Sequence, residues 1–149
     1  MGCMAMEKRM NGDIYNIETI IQEKAMKLFS FIWKNEWPKL DVGYNLKIEQ
    51  EQSGIILRGT SDCHVIELDL TERADMFFQG LKSCSIEQWS EEYLNLLYLG
   101  GTMWFFHLEW DEMKVDTNGF NDYPHNFKTF IDYLESWGIP RSTIMQLEK

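Results

Sequence analysis

Residues 103–111 constrain the fold most, because their side chains alternate strictly between two faces. The large apolar residues share one face and are Trp104, Phe106, Leu108 and Trp110. The opposite face carries the side chains of Met103, Phe105, His107, Glu109 and Asp111. A period of two is that of a β-strand, and so much apolar surface on one side must be covered by another layer. The pattern predicts a strand with one face on the core.

Other alternating runs predict the neighbours of this strand. Three short runs separated by turn residues precede it, and they cover residues 44–48, 55–58 and 63–68. Such runs are typical of an antiparallel meander. A shorter run at residues 113–117 follows the central strand and leads to Asn118-Gly119, a dipeptide favoured in turns. We therefore expect an antiparallel sheet of about five strands.

Apolar residues at spacings of three and four predict helices between and around these strands. The helical patterns cover residues 16–34, 71–81 and 124–137. A further helical segment is expected where Trp89 and Tyr93 lie four residues apart. The strands cluster instead of alternating one by one with helices, which favours an α+β fold over a parallel α/β fold. The expected order is α-βββ-α-ββ-α, with the helices packed on one face of the sheet.

The length of 149 residues suits one domain. Residues 1–13 lack the apolar core of a secretory signal, so we expect a disordered leader there and a single α+β domain over residues 14–149. Cys3, Cys63 and Cys84 are too widely spaced for a disulfide framework or a paired metal site. Together with the lack of a membrane-length apolar run, these features predict a cytoplasmic protein that does not insert into membranes.

Negative charge is concentrated in one segment. The chain has a net charge of −10, which disfavours a nucleic-acid partner. Residues 87–122 contain one basic and eight acidic residues together with eight aromatic ones. This composition predicts an acidic, aromatic surface that binds a basic protein, although buried aromatics beside an ordinary solvated face would have the same composition. The candidate binding residues are Glu91, Glu92, Glu109, Asp111 and Glu112, with Trp110 and Phe120 as anchors.

Two alternatives rest on side-chain chemistry. His107, Glu109 and Asp111 share one predicted strand face and could bind zinc or act as general acid and base. Trp104 and Phe106 could instead line an aromatic pocket for a small ligand. The common nucleotide-binding, zinc-protease and hydrolase signatures do not occur, so we assign neither a cofactor nor a catalytic residue.

Single histidines and cysteines favour structural interpretations. His64 alternates with Ile66 and Leu68, so we expect it to point inward and to be satisfied by a backbone carbonyl. Cys63 is not expected to pair with His64 as a nucleophile and its base, because neighbours on a strand face opposite sides.

A motif at residues 119–124 predicts a structural corner between the last strand and the last helix. Gly119 is expected to supply a backbone conformation that other residues avoid, and Asn121 to bond nearby backbone groups. Tyr123 can bury its ring with its hydroxyl tethered, and Pro124 suits the first position of a helix. These roles determine the fold before they serve any function.

Gly101-Thr102 and Trp104, followed by Gly119, Asn121 and Tyr123-Pro124, resemble a motif of small uncharacterised bacterial proteins. The pattern is G-T-x-W followed by G-x-N-x-Y-P, and the resemblance covers about residues 70–137. Some members of that group look like toxin-immunity proteins. The resemblance implies a non-enzymatic protein whose partner is a toxin.

Overall fold

The structure, a computed structural model, describes residues 27–36, 42–52, 54–97 and 100–147. Seven strands occur in this part of the chain: β1 (Leu28–Asn35), β2 (Gly43–Glu51), β3 (Gly54–Ser61), β4 (His64–Asp69), β5 (Glu92–Leu94), β6 (Thr102–Trp110) and β7 (Met113–Phe120). The same described residues form two α-helices, α1 (Ala74–Ser83) and α2 (Phe127–Ser136). Short 3-10 turns occur at Ile86–Gln88 and Thr143–Leu147. Neither α-helix is long enough to cross a membrane.

The seven strands form one sheet in the order β4-β3-β2-β1-β6-β7-β5. Neighbouring strands are antiparallel except β5, which runs parallel to β7. The fold is therefore α+β, and the meander of β2, β3 and β4 is present. The expected sheet of about five antiparallel strands is wrong in strand number and direction, because β1 and β5 lie where the sequence patterns predicted helices.

The helix predicted over residues 16–34 is wrong from Leu28 onward, where β1 begins, while residues 16–26 lie outside the described residues. In β1 the side chains of Phe29, Phe31 and Trp33 are buried at every second position. Phe31 lies opposite Leu46 of β2 on one side and opposite a phenylalanine of β6 on the other. This burial at every second position outweighs the weaker helical spacing of the aliphatic residues.

The helix predicted around Trp89 and Tyr93 is also wrong. Trp89 has extended backbone angles, and its indole Nε1 donates to Asn126 Oδ1 at 2.8 Å. The hydroxyl of Tyr93 accepts a hydrogen bond from the backbone N–H of Ser90 at 2.8 Å. Thr117 of β7 also donates its hydroxyl to the carbonyl of Ser90. These side-chain hydrogen bonds hold residues 89–93 in an extended conformation against β7 and the start of α2. They replace the backbone hydrogen bonds that a helix would have made.

The turn between β6 and β7 lies at residues 111–112, and the turn predicted at Asn118-Gly119, after the run at residues 113–117, is wrong. Trp110 pairs with Met113, and Asp111 adopts a left-handed backbone conformation with φ of 52°. Asn118 and Gly119 instead lie within β7. Asp111 is therefore exposed in a turn and does not extend the strand face of His107 and Glu109 as expected.

Both helices pack on one face of the sheet, which we call the inner face. Phe77 of α1 contacts Phe29 of β1 edge to face, with ring centroids 5.7 Å apart. Phe130 of α2 packs at right angles on Phe31 at 4.9 Å. Aromatic rings therefore form much of the layer between helices and sheet. The outer face carries the alternate side chains of each strand, among them Phe105 and His107.

Candidate functional site

The two halves of the motif, residues 101–104 and 119–124, meet in a corner where β6 begins and β7 ends. Asn121 Oδ1 accepts the backbone N–H of Thr102 at 3.0 Å, and its Nδ2 donates to the carbonyl of Gly100 at 2.9 Å. The hydroxyls of Thr102 and Tyr123 form a hydrogen bond. Trp104 Nε1 donates to the carbonyl of Asp122 at 2.9 Å. The motif residues therefore serve the fold of this corner.

Two expectations within this motif are wrong. Gly119 has no positive φ; instead, a Cβ at this position would lie 2.2 Å from Trp104 Nε1. A glycine is therefore needed here because it leaves space for the indole of Trp104, and not because of its conformational freedom. Pro124 is not the first residue of α2, which begins at Phe127. The carbonyl of Pro124 accepts the N–H of Phe127 at 3.0 Å, so the proline forms the turn that leads into the helix.

Acidic side chains on β5, β6 and β7, or in the turns beside them, form what we call the acidic edge. Its members are Glu87, Glu91, Glu92, Glu109, Asp111, Glu112, Asp116 and Asp122. Within the described residues, none of these carboxylates forms an ion pair with a lysine or arginine. Several carboxylates elsewhere do have such partners, namely Glu49, Glu51, Glu67, Asp75, Asp132 and Glu135. In the part of the chain that the structure describes, the acidic edge therefore carries negative charge without a lysine or arginine partner.

The candidate carboxylates occupy two parts of this edge. Glu91 and Glu92 are exposed at the start of β5, the last strand of the sheet. Asp111 and Glu112 are exposed in the turn between β6 and β7. This turn borders an open groove of about 950 Å³ beside α1, whose other lining residues include Glu87 and Lys82. The two parts are joined by β7, which lies between β5 and β6.

His107 lies between two carboxylates on the outer face. Its Nε2 is 2.9 Å from Glu109 Oε2, and its Nδ1 is 3.6 Å from Asp116 Oδ1. The second carboxylate therefore comes from β7 and is not Asp111. In the described part of the chain, no three histidine, cysteine or acidic side chains converge closely enough to hold a metal ion. Sequence reasoning missed Asp116 because only the register between β6 and β7 places it opposite His107.

The aromatic anchors differ from those expected. Trp110 is only 6% exposed and stacks on Phe78 at 5.6 Å, so it is a core residue and its predicted role as an anchor is wrong. Phe120 is half-buried at the end of β7. Phe105 is 44% exposed, although it was not among the candidates. The alternation of β6 contains the signal for it, since Phe105 is a large apolar residue on the more polar face.

Exposed leucines follow the same edge. Leu94 of β5 is 49% exposed, and Leu96 and Leu97, which follow it, are 72% and 88% exposed. Apolar side chains of this size are costly to leave in water, and neighbouring exposed ones are a general feature of interaction surfaces. Sequence reasoning missed them because the segment resembled an amphipathic helix with a buried side.

Two further expectations are wrong. Trp104 and Phe106 are fully buried in the core, so they do not line an open pocket for a ligand. His64 is exposed at the start of β4, and does not point into the core. Its Nδ1 nevertheless lies 3.2 Å from the backbone carbonyl of Ser61, so the expected hydrogen bond to a backbone carbonyl is present.

Comparisons of the chain with protein-family models, with curated proteins and with solved structures find no match. The acidic edge and the exposed apolar residues beside it are therefore the features that point to a function.

Proposed function

We propose that this chain is a non-enzymatic, cytoplasmic domain that binds a basic protein through its acidic edge. The main observation is that, among the described residues, the carboxylates of the acidic edge have no lysine or arginine partner, whereas many of the other carboxylates have one. Self-repulsion of this kind costs stability, and a positively charged partner would relieve it. The most concrete version is an immunity protein that neutralises a basic toxin.

Exposed apolar side chains on the same side of the sheet supply the second component of a binding surface. Charge speeds and orients association, but most binding free energy comes from desolvating a few large side chains. Phe105, Leu94 and Leu96 are suited to that role, with Phe120 beside them. In this proposal the carboxylates of Glu91 and Glu92 guide the basic partner, and the apolar residues hold it.

The domain would then neutralise the toxin by covering the toxin's basic surface. A toxin that acts on an anionic substrate such as a nucleic acid needs a basic surface, and an acidic protein can occupy that surface in place of the substrate. The domain needs no catalytic group for this mechanism. It needs only a rigid sheet that presents several carboxylates together.

The proposal is tested with the product of the gene adjacent to the one for this chain. Co-expression should protect growth against that product, and calorimetry should show binding that weakens at least about tenfold between about 50 and 300 mM NaCl. Glu92→Lys should weaken binding by about tenfold or more. Glu72→Lys is the matched control, because Glu72 is also exposed but precedes α1, outside the acidic edge.

Three outcomes would contradict the proposal. The first is a lack of binding and of protection with either neighbouring product. The second is binding that does not change with salt. The third is an equal loss of affinity for Glu92→Lys and Glu72→Lys, which would mean that total charge, and not the acidic edge, controls association.

A further inference from the structure

The strand β5 ends the sheet with one open backbone edge. Asn118 of β7 donates its N–H to the carbonyl of Glu91 at 3.2 Å, and the N–H of Asn95 donates to the carbonyl of Phe120 at 2.9 Å. Backbone groups alternate in direction along a strand, so Glu92 and Leu94 direct their N–H and C=O groups away from β7. No described strand lies beside them. Both residues are exposed, and within the described residues these outward groups have no strand partner, so they can bond another chain.

The side chains around this edge do not prevent a cationic strand from adding to β5. Proteins commonly protect open edges with lysine, proline or a bulge. Here the edge carries the carboxylates of Glu91 and Glu92, and the exposed leucines at 94, 96 and 97 lie on or just after β5. Acidic residues repel acidic chains but attract basic ones, so this edge selects its partner by charge.

The opposite edge of the sheet differs in its charges. On β4 the carboxylate of Glu67 pairs with Arg58 at 2.9 Å, and Asp69 accepts hydrogen bonds from the backbone and hydroxyl of Thr71. Val65 is the exposed large apolar residue of that strand. The carboxylates of β4 are already engaged within the chain, so β5 is the edge with charge left for a partner.

We infer that an extended, basic segment of the partner protein adds to β5 as an eighth strand of the sheet. Strand addition gives affinity through backbone hydrogen bonds and specificity through alternate side chains. Lysines or arginines of the segment would lie near Glu92, and its apolar residues near Leu94. A second copy of this chain is a poor occupant, because pairing of two β5 edges would bring the acidic side chains of both copies together. The inference rests on the proposed function and specifies how the partner binds.

The test uses the full chain and a synthetic peptide of about nine alternating lysine and valine residues with blocked ends. NMR should show shifts and slower hydrogen exchange for the amides of Glu92 and Leu94 when the peptide is added. Leu94→Pro removes an outward N–H together with the leucine side chain and should weaken binding at least about tenfold. Leu94→Ser is the matched control, because it also loses the leucine side chain but keeps that N–H, so it should bind at least about threefold more tightly than Leu94→Pro.

A change in the peptide gives a second measurement that does not depend on folding of a variant. Methylation of alternate backbone nitrogens removes donors along one edge without changing its charge, and it should weaken binding by at least about tenfold. Equal binding of both peptides, together with equal binding to Leu94→Pro and Leu94→Ser, would overturn strand addition. If Glu92→Lys still abolished binding in that case, the acidic edge would stand as the docking surface. If Glu92→Lys also had no effect, the proposed function would fail with it.

Discussion

Gly119 of β7 lies directly against the indole of Trp104, so closely that a Cβ on the glycine would stand 2.2 Å from the ring nitrogen. That nitrogen donates its hydrogen to the carbonyl of Asp122. The glycine therefore makes room for the ring, and the ring holds the backbone that follows the glycine. This mutual dependence explains in physical terms why a tryptophan on one strand and a glycine on the next belong to one motif.

Gly119→Ala is expected to lower the free energy of unfolding by about 1–3 kcal/mol, because the added methyl group must displace the indole. Urea denaturation followed by tryptophan fluorescence measures the change. Lys114→Ala on the same strand is the control and should change the value by less than about 0.5 kcal/mol, because Lys114 is exposed. A stability of Gly119→Ala equal to that of the control would mean that the indole has room to move.

The contrast between Trp110 and Phe105 gives the second prediction. Trp110→Ala should lower the free energy of unfolding by about 3–5 kcal/mol, because it leaves a cavity beside Phe78. Phe105→Ala should cost about 1 kcal/mol or less, because that ring is half in water. Denaturation curves of the two variants under identical conditions test the difference. Similar losses would contradict the assignment of Trp110 to the core and Phe105 to the surface.

The fold class and several elements could be predicted because their patterns were strong and local. The alternation of residues 103–111 places Trp104 and Trp110 in the core, and the meander follows from three runs and their turns. The strand β1 could not be predicted by helical spacing, since Leu28 and Ile32 suit a helix while Phe29, Phe31 and Trp33 suit a strand. Only burial between β2 and β6 decides between the two patterns.

The candidate site was predictable in its charge but not in its apolar members. The acidic segment can be identified by counting charged residues along the sequence, which requires no structure. Asp116 beside His107 depends on strand register, and the exposure of Leu96 depends on the absence of a helix around Trp89. Both follow from contacts between residues far apart in the chain, which local patterns do not contain.

The two described cysteines should differ sharply in reactivity. Cys63 is exposed in the turn before β4, whereas Cys84 is buried and its thiol donates to the carbonyl of Gly80 at 3.4 Å. Burial raises the pKa of Cys84, so little reactive thiolate forms there. In a Cys3→Ser background, an aromatic disulfide reagent should label Cys63 rapidly and Cys84 only after urea is added.

Cys63→Ser in the same background provides the control for this labelling. The Cys63→Ser variant should react with almost none of the disulfide reagent until the protein unfolds. Rapid labelling of folded Cys63→Ser would mean that Cys84 is open to solvent, and would contradict its place in the core.

Asp62, in the turn between β3 and β4, ties the segment after α2 to the sheet. Its Oδ1 accepts the N–H of Gly43 at 2.8 Å and the hydroxyl of Ser142 at 2.6 Å, and its Oδ2 accepts the N–H of Thr143 at 3.0 Å. Partial burial acts to raise the pKa of Asp62, but the hydrogen bonds from Ser142, Thr143 and Gly43 outweigh it. The pKa in the folded protein therefore lies below its ordinary value.

A lowered pKa in the folded state sets the sign of the pH dependence. The unfolded chain takes up a proton at Asp62 near pH 3.9 while the folded protein still resists it. The stabilisation is therefore complete above about pH 5 and is lost as the pH falls through the folded value. Asp62→Asn removes this titration, and asparagine also tolerates the left-handed backbone of this position, where φ is 53°.

Asp62→Asn should therefore be less stable than the wild-type chain at about pH 7, and the difference should shrink as the pH falls below about 4. Urea denaturation of both proteins across this range measures the difference. Asp69 and Asp132 also have lowered pKa values, but they titrate in both proteins and largely cancel from the comparison. If the difference in the free energy of unfolding stayed constant with pH, the negative charge of Asp62 would not contribute to the attachment of Ser142 and Thr143.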